Sequence, residues 1–465
     1  MTLNVSRDHE GRNMRPAAFD VAPAPGAAAT GRKPRILMFA PQCIPPHNPE
    51  AIVNAKLVKM MLGASWKVDV ISRTNDVGPY PSRTDGILEG VAAVTHSIYM
   101  ERGWDVKNTY CKVRGAVRSG HVVRSIRWVD SALSLGLKLA RTNKYDFVLS
   151  RSSPVYAHLP ALVVSQRYGI PWIANWNDPD PMGSCPPPYG TGPDARIPFW
   201  LARYLRAVAA RASWHTYPCI RLGRFLSAFL GHRLLTRGSV IPHPALEGPV
   251  RRTHSRGNEF VICHGGAITF PRDPGPFLLG IRRLIDTNAE FGLATRVRFI
   301  GDWTNDLATL TEQLGLSQVV HAVAPTDYEQ ALAEFANADV LAVIEAPLSE
   351  GVFFPSKVVD YVQTGRPILA ISPRDGTLND LLGAHGGGIC ADCTSAESVV
   401  DALSKLFAAW KYGKLDSDYG STRLLSMFSN HAILPQFANL FTALAAERAT
   451  TRRSGMAAKA QAGSQ

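Results

Sequence analysis

The sequence lacks the features that would place the chain across a membrane or in an oxidising compartment. No stretch reaches the ~18 consecutive apolar residues that a membrane-spanning helix needs, and no basic segment followed by an apolar one marks a secretory signal. The seven cysteines are odd in number and scattered, which suits reduced thiols better than a disulfide framework. We therefore expect a cytoplasmic protein.

The signatures of several cofactors are also missing. No G-x-G-x-x-G follows the first predicted strand, which argues against a nicotinamide or flavin enzyme. Asp178 and Asp180 lie in a proline-rich turn, where they do not form a motif for a metal and a diphosphate. His385, Cys390 and Cys393 supply too few ligands for a structural zinc ion. We expect no cofactor and no metal.

The sequence has a surplus of positive charge. Fifty Lys and Arg residues against thirty-eight Asp and Glu residues give a net charge of +12. Such a surplus attracts anions, which include phosphate groups, anionic lipid headgroups and nucleic acid. No zinc-finger spacing or other nucleic-acid-binding signature accompanies it, so we expect no nucleic-acid partner.

The length and the order of predicted elements indicate two α/β domains. A chain of 465 residues with 46% hydrophobic residues is long enough for two cores. Apolar strands and amphipathic helices alternate from Arg35 onward and again from Phe260, which predicts two doubly wound parallel sheets. We predict domains at 33–245 and 255–425, a further helix at 426–449, and disordered tails at 1–32 and 450–465, because the tails bury too little apolar surface.

The most informative motif lies between Glu345 and Arg374. Pro355, Ser356 and Lys357 fall where a loop enters a predicted helix, and backbone N–H groups, a hydroxyl and an ammonium there favour a phosphate group. Asp360 lies nearly one turn further on the same face, where a carboxylate can accept hydrogen bonds from ribose hydroxyls. The alternative is a surface Lys–Asp pair without a ligand.

A second motif follows the strand that begins at Phe260. Gly265 and Gly266 lack a Cβ atom and permit a close approach of the backbone to a diphosphate, and Arg272 can bind its oxygens in a bidentate manner. The alternative is an ordinary glycine turn with a solvated arginine.

Two segments of the first predicted domain carry polar residues after a strand. Asp178 follows the strand 171–175, so we expect a carboxylate in a cleft at the carboxyl end of the sheet; the alternative is a local Asp-Pro turn. The loop 41–51 contains no glycine. His47, Asn48 and Glu50 are its polar candidates, although Asn48 also fits a helix N-cap.

These motifs together resemble glycosyltransferase family 4, whose members have the GT-B fold. The run Pro355-Ser356-Lys357, Asp360-Tyr361 and the Gly-Arg-Pro at 365–367 resembles the donor-binding signature of a subgroup of the family. Segments 260–274, 150–181 and 428–449 are similar to other parts of the fold. The chain departs from the family pattern in two places: Val352 stands where an acid often precedes the second acid by eight residues, and the first loop lacks a glycine pair.

The resemblance implies a fold and an activity. It implies two Rossmann-like domains that face each other across a cleft, with the acceptor on the first domain and a nucleotide diphosphate sugar on the second, and transfer with retention. Arg272 and Lys357 would neutralise the diphosphate, Asp360 would hold the ribose, and Glu345 or Glu350 would replace the acid missing at position 352. The implied acceptor is a sugar or lipid-linked saccharide in exopolysaccharide or other cell-surface glycan biosynthesis.

Two other activities fit the same motifs. A nucleotide-sugar epimerase would bind the same donor and release nucleotide without an added acceptor. A catalytically degenerate scaffold in a polysaccharide assembly complex would explain the departures at Val352 and in the first loop, although Arg272, Lys357 and Asp360 are retained.

A basic segment between Glu101 and Trp128 has the composition of a membrane-surface helix. Its cations alternate with valines and aromatic residues, a pattern typical of helices that lie on anionic membranes. Peripheral binding to the inner face of the plasma membrane is one interpretation, and a solvated basic face on a core-packed helix is the other.

Overall fold

The structure is a computed structural model that describes residues 33–44, 48–74, 90–98, 106–123, 126–192, 195–246, 248–253, 257–301, 305–324 and 327–462. The predicted tail 1–32 and His47 lie outside these ranges. The described residues form thirteen strands: β1 Arg35–Phe39, β2 Lys67–Arg73, β3 Thr95–Ile98, β4 Phe147–Arg151, β5 Trp172–Asn175, β6 Trp214–Tyr217, β7 Gly238–Val240, β8 Phe260–Gly265, β9 Thr295–Ile300, β10 Val320–Val323, β11 Val340–Ile344, β12 Ile368–Ser372 and β13 Gly388–Asp392.

Helices connect and cover these strands. In the described part of the chain they are α1 Pro49–Gly63, α2 Val106–Ser119, α3 Ile126–Thr142, α4 His158–Tyr168, α5 Phe199–Arg211, α6 Ile220–Leu230, α7 Arg233–Thr236, α8 Gly275–Thr287, α9 Ala289–Ala294, α10 Asn305–Gln313, α11 Tyr328–Asn337, α12 Lys357–Thr364, α13 Thr377–His385, α14 Ala396–Lys411, α15 Leu415–Tyr419, α16 Leu425–Phe428 and α17 Asn430–Ala462.

The strands form two sheets, each belonging to one Rossmann-like domain. The first has the order β3-β2-β1-β4-β5-β6-β7 and the second the order β10-β9-β8-β11-β12-β13, and all neighbouring strands are parallel. In both sheets the direction of winding reverses between the two central strands, β1 and β4 in the first and β8 and β11 in the second. Crevices at the carboxyl ends of such strands are where doubly wound proteins bind ligands. The two predicted α/β domains are therefore confirmed.

The central strand β11 of the second sheet is apolar on both faces because helices cover both. Along β11, Val340, Ala342 and Ile344 pack in the core cluster with α8 and α14, whereas Leu341 and Val343 pack in the cluster that continues into the first domain. This alternation is the period of two that a strand imposes on its side chains. The second face explains why the β11 run VLAVI contains no polar residue.

The last helix, α17, returns to the first domain. Phe441 stacks on Phe147 of β4 with ring centroids 4.3 Å apart and also contacts Trp66 at 5.3 Å. Arg237, which precedes β7, forms an ion pair with Glu447. The helix continues to Ala462. The sequence instead predicts that the helix ends at residue 449 and that a disordered tail begins at residue 450. None of the helices in the described ranges combines the length and apolar character needed to span a bilayer.

Candidate functional site

A cleft of about 270 Å³ lies where the carboxyl ends of the two sheets face each other. The first domain contributes the start of α1, the loop after β5 and a residue after β7, and the second contributes the loops that follow β8 and β11. The lining residues are Asn48, Pro49, Glu50, Asn177, Asp178, Tyr189, His243, Arg272, Val343, Ile344, Glu345, Ala346, Leu348, Phe353, Phe354, Pro355, Ser356 and Lys357. The structure thus brings Asp178, Arg272, Ser356 and Lys357 together in one cleft.

Lys357 is held by two acceptors in the last two residues of β8. Its Nζ donates to the carbonyl of Gly265 at 2.5 Å and lies 3.3 Å from Nε2 of His264. Nδ1 of His264 lies 3.0 Å from the carbonyl of Ala342. Since a carbonyl only accepts, Nδ1 carries the proton, and Nε2 of the neutral ring accepts from Lys357. An ammonium has three N–H bonds, so one remains for a ligand in the cleft.

Burial in the cleft shifts the pKa values of Lys357 and Glu345 toward the neutral form of each group. Burial, with a further contribution from Arg272, lowers the pKa of Lys357 to about 7. Burial raises the pKa of Glu345 to about 8, against the opposing influence of Arg272 and Lys357, and its Oε2 has no hydrogen-bond partner in the described chain. A dianionic ligand would favour the protonated form of both groups.

Gly265 and Gly266 shape the loop beneath Lys357. A Cβ atom on Gly265 would lie 2.3 Å from the ring of Phe335, and Gly266 has a φ of +91°, which side chains rarely adopt. The N–H of Gly265 donates to the hydroxyl of Tyr361 at 2.8 Å, and that hydroxyl lies 3.2 Å from the carbonyl of Ala342. Tyr361, buried one turn into α12, therefore fixes this loop against the helix that begins with Lys357.

Arg272 and Ser356 complete the second-domain wall. No ion pair or side-chain hydrogen bond engages Arg272 among the described residues, although its charge lowers the pKa of Glu345 and opposes the upward shift of Asp178. Ser356 is the N-cap of α12, and its side chain makes no capping hydrogen bond. Arginine, serine and the positive end of a helix dipole therefore face the same space as Lys357, an arrangement suited to phosphate oxygens.

The first-domain wall carries carboxylates and amides. Asp178 is partly exposed in the cleft, and burial is the main cause of its raised pKa. Glu50, whose pKa is raised to about 8 mainly by burial, accepts hydrogen bonds from Asn54 and Asn177. Asn48 caps α1 by accepting from the N–H of Ala51 at 2.9 Å. Both interpretations of Asn48 thus apply, since it is an N-cap and also lines the cleft.

Sequence reasoning missed two aromatic contacts at the edge of the cleft. His243, after β7, is 5% exposed and stacks on Phe354, with centroids 5.6 Å apart. Burial, with the nearby charges of Arg151 and Lys56, lowers the pKa of His243 to about 3. Tyr189 contacts Phe353 at 5.0 Å. Each pair joins residues from opposite domains, and no local sequence pattern marks such contacts.

Asp360 does not line the cleft. Its Oδ1 accepts from Nζ of Lys56, on α1 of the first domain, and from the hydroxyl of Tyr328 at 2.6 Å. Lys56 is only 2% exposed and lies over the ring of Tyr328. The carboxylate predicted to hold a ribose therefore connects the two domains in this structure.

Glu350 is also engaged outside the cleft. It pairs with Arg221 of α6 at 2.7 Å, and the same guanidinium pairs with Asp375 and Asp380 at 2.6 Å each. Val352, at the position where an acid is missing, is 4% exposed, and its carbonyl accepts from the thiol of Cys219. Of the two acids considered as substitutes for an acid at 352, Glu345 lies in the cleft and Glu350 does not.

The ionisation of Lys357 and Glu345 predicts how ligand affinity depends on pH. Above pH 7 the empty site loses the ammonium proton of Lys357, and above pH 8 it gains the negative charge of Glu345; both changes oppose a diphosphate. We expect the Kd for UDP to rise between pH 7.5 and 9.5, by up to about tenfold per pH unit for each titrating group. Isothermal titration calorimetry measures this change, and Glu345→Gln should make it shallower. A Kd that stays constant over this range would contradict the assignment of these two groups to the site.

No cluster of His, Cys, Asp or Glu in the described chain is arranged to hold a metal ion. No family model and no curated protein matches the sequence.

Solved structures share the architecture. Sucrose-phosphate synthase from Thermosynechococcus elongatus matches with a TM-score of 0.60 and 13% identity, over 90% of this chain and 100% of that one. A variant of TarM from S. aureus in complex with fondaparinux, α-GlcNAc-glycerol and UDP matches at 0.57 with 9% identity, over 88% and 100%. A putative UDP-N-acetylglucosamine 2-epimerase from Listeria monocytogenes matches at 0.54 with 11% identity, over 88% and 97%. With the two parallel sheets described above, these similarities identify the GT-B fold.

Proposed function

We propose that the protein is a glycosyltransferase that moves a sugar from a nucleotide diphosphate donor to an acceptor bound by the first domain. The observation that carries this proposal is the wall formed by Arg272, Ser356 and Lys357. Two cationic side chains converge on one space in an interdomain cleft, and no carboxylate in the described chain forms an ion pair with either of them. Unpaired cations in a cleft of this size fit a ligand that carries its own negative charge.

The wall fits the chemical demand of glycosyl transfer. When the bond between the sugar and the diphosphate breaks, negative charge accumulates on the leaving oxygen, and fixed positive groups stabilise that charge. Arg272 and Lys357 supply these groups. Gly266 has no Cβ atom, which would lie 3.4 Å from Nζ of Lys357, and Gly265 instead makes room for the ring of Phe335. In the retaining mechanism implied by the resemblance to family 4, the leaving phosphate takes the acceptor proton, so no protein base is required. An Asp360 contact to the ribose is part of the proposal only if the Lys56–Asp360 ion pair opens on donor binding.

The similar structures support this proposal and raise one rival. TarM was solved with UDP, and sucrose-phosphate synthase is named as a synthase of a glycoside. The Listeria protein, in contrast, is named as a putative epimerase. The two activities differ in their products, since a transferase links the sugar to an acceptor and an epimerase returns it in altered configuration.

Product analysis tests the proposal. The protein is incubated with UDP-, GDP- and ADP-sugars, with and without saccharide acceptors, and the products are separated by chromatography. Nucleotide release that accelerates with an acceptor, together with a new glycoside, is the expected result. Nucleotide release with a free epimerised sugar would favour the epimerase, and absence of turnover with every donor would favour the degenerate scaffold.

The acceptor side of the proposal includes a membrane surface. Along α2, Val106, Tyr110, Val113 and Val117 form one exposed row with 59–89% of each side chain accessible. Phe199 and Trp200, which begin α5, are 69% and 54% exposed. The hydrogen bond from Arg203 to the carbonyl of Gly120 joins the two helices. Apolar side chains of this kind beside Lys107 and Lys112 suit an anionic lipid surface and an acceptor in a lipid-linked saccharide pathway.

Some residues of the basic segment between Glu101 and Trp128 are engaged within the protein. Arg114 and Arg118 both pair with Asp130, which is fully buried, and Trp128 is fully buried with its Nε1 bound to the carbonyl of Ser72. Arg114 and Arg118 thus connect α2 to α3 through a buried carboxylate, and Trp128 belongs to the core. Arg102, Trp104 and Arg124 lie outside the described residues.

Replacing both Phe199 and Trp200 with glutamate should weaken binding to anionic vesicles at least tenfold. Burial of one large aromatic side chain contributes about 1.5–3 kcal/mol, and the added carboxylates oppose the lipid charge. Cosedimentation with phosphatidylglycerol vesicles measures the effect. The control is the double change Leu293→Glu with Tyr412→Glu, which adds the same two charges at side chains 79% and 77% exposed on the second domain. Equal vesicle binding by the double variant and the wild type would exclude this surface.

A further inference from the structure

Glu50 occupies the first turn of α1 and faces the second-domain cations across the cleft. Asn48 caps the helix and Pro49 begins it, so the position of Glu50 is set by the backbone of a helix start. The carboxylate lines the cleft together with Asn177 and Asp178. It is therefore a group that a bound acceptor would meet on the first-domain wall.

The two oxygens of Glu50 have different environments. Oε1 accepts from Nδ2 of Asn177 at 2.5 Å and from Nδ2 of Asn54 at 3.1 Å. Oε2 has no hydrogen-bond partner within the described ranges. It is not a buried atom, so it is accessible from the cleft. One oxygen is thus fixed by two amides while the other is open to the cleft. Once Glu50 is ionised, above its raised pKa of about 8, Oε2 can accept a hydrogen bond from a hydroxyl.

A buried arginine holds one of the two amides that bind Glu50. Arg151, which ends β4, is 4% exposed, and its Nε donates to Oδ1 of Asn54 at 2.6 Å. That bond orients the Asn54 amide, so that Nδ2 points toward Glu50. Nη2 of Arg151 has no partner among the described residues. The series Arg151, Asn54, Glu50 and Asn177 therefore fixes the carboxylate in one orientation.

We propose that Glu50 orients the attacking hydroxyl of a polyol or saccharide acceptor, which donates to its open Oε2. The inference rests on the proposed function. Arg272 and Lys357 place the donor diphosphate on the opposite wall, and the hydroxyl held by Glu50 lies between the two walls. The acceptor is uncharged at its reacting end, because the ionised Glu50 would repel an adjacent carboxylate or phosphate. Arg151, Asn54 and Asn177 are positioning residues that act through Glu50.

A structural role would be different. Glu50 is the carboxylate whose charge most directly counters the buried Arg151, so its loss could act on stability alone. A role in orienting the acceptor instead predicts an effect on turnover without an effect on donor affinity. Water and glycerol can take the place of an unknown acceptor, since each presents a hydroxyl of the same kind.

The test compares Glu50→Gln with Glu329→Gln. Glu329 has the same position in α11 as Glu50 has in α1, the second residue of a capped helix, but it is exposed and outside the cleft. Three quantities are measured at pH 8.5, above the raised pKa of Glu50: the Kd for UDP, the melting temperature, and the rate of nucleotide release from UDP-, GDP- and ADP-glucose in water and in 1 M glycerol.

For Glu50→Gln we expect the Kd for UDP within twofold of the wild type and nucleotide release about 10²-fold slower in both media, because a misplaced nucleophile costs about that factor. Glu329→Gln should match the wild type in all three quantities. Asn177→Ala, which keeps the carboxylate but removes one of the two amides that hold Oε1, should slow release about tenfold with the same Kd.

Other results would overturn the inference. Release within threefold of the wild type in Glu50→Gln and Asn177→Ala would assign Glu50 a structural role and leave the proposed function standing. A melting temperature lowered in Glu50→Gln together with full activity per folded molecule would lead to the same conclusion. No nucleotide release by the wild type in either medium would overturn both proposals.

Discussion

Replacing Lys357 with alanine should lower kcat for sugar transfer by about 10²–10³-fold, the usual cost of removing one group that stabilises charge in a transition state. The ammonium is fixed by Gly265 and His264 and has one N–H left for the cleft. Because the diphosphate gains negative charge as it leaves, the fold decrease in kcat should exceed the fold decrease in ground-state affinity for the donor. Steady-state kinetics with the active nucleotide sugar measure both.

Lys411→Ala is the matched control for this variant. Its ammonium pairs with Glu290 on the surface, and both side chains are substantially exposed. We expect unchanged kinetics from it. Lys357→Ala with full kcat would mean that the converging cations have no catalytic role.

Replacing Asp360 with alanine should destabilise the protein by about 3–5 kcal/mol, because the change leaves the buried ammonium of Lys56 without its carboxylate. Lys56 is 2% exposed and Asp360 14% exposed, and Tyr328 donates to the same carboxylate oxygen. The pair joins α1 of the first domain to α12 of the second, so its loss also weakens the contact between domains. Urea unfolding followed by circular dichroism measures the change.

Two further variants test whether the loss of stability in Asp360→Ala comes from the unpaired ammonium of Lys56. Asp416→Ala breaks the exposed pair with Arg366 and should cost less than about 1 kcal/mol. The double change Lys56→Met with Asp360→Leu removes both charges and should recover most of the stability lost in Asp360→Ala. If Asp360→Ala unfolds at the wild-type urea concentration, the ion pair does not stabilise the interdomain contact.

The alternation of strands and helices was predictable because it depends on local chemistry. The predicted strand RILMF coincides with β1, and the predicted run from 340 to 344 coincides with β11. Both are short apolar segments bounded by residues that interrupt a strand. Right-handed crossovers between parallel strands then restrict the possible sheet orders. The two crevices and the loops that line them could therefore be predicted from the sequence.

The partners of the site carboxylates were not predictable in the same way. Asp360 has a suitable position one turn after Lys357, but Lys56, 304 residues away in the chain, pairs with it. Glu350 pairs with Arg221 across 129 residues. Helical periodicity shows which side chains share a face and carries no information about which cation the other domain presents to that face. The same limit explains why His243 and the Tyr189–Phe353 contact were missed.

Glu345 shows the converse case. It directly follows β11, and a residue at the carboxyl end of a central strand is placed in the crevice by topology alone. The structure places it in the cleft, with Oε2 unpartnered within the described chain. We expect this carboxyl group, and not Glu350, to meet the donor.

Arg272 and Lys357 form the proposed site for a nucleoside diphosphate. The most direct test is calorimetric titration of the wild type, Lys357→Ala and Lys411→Ala with UDP, GDP and ADP and with the corresponding monophosphates. We expect one diphosphate to bind the wild type and Lys411→Ala at least tenfold more tightly than its monophosphate, and Lys357→Ala to lose this difference. Equal affinity for diphosphate and monophosphate, or equal binding by Lys357→Ala and the wild type, would mean that these cations do not form a diphosphate site.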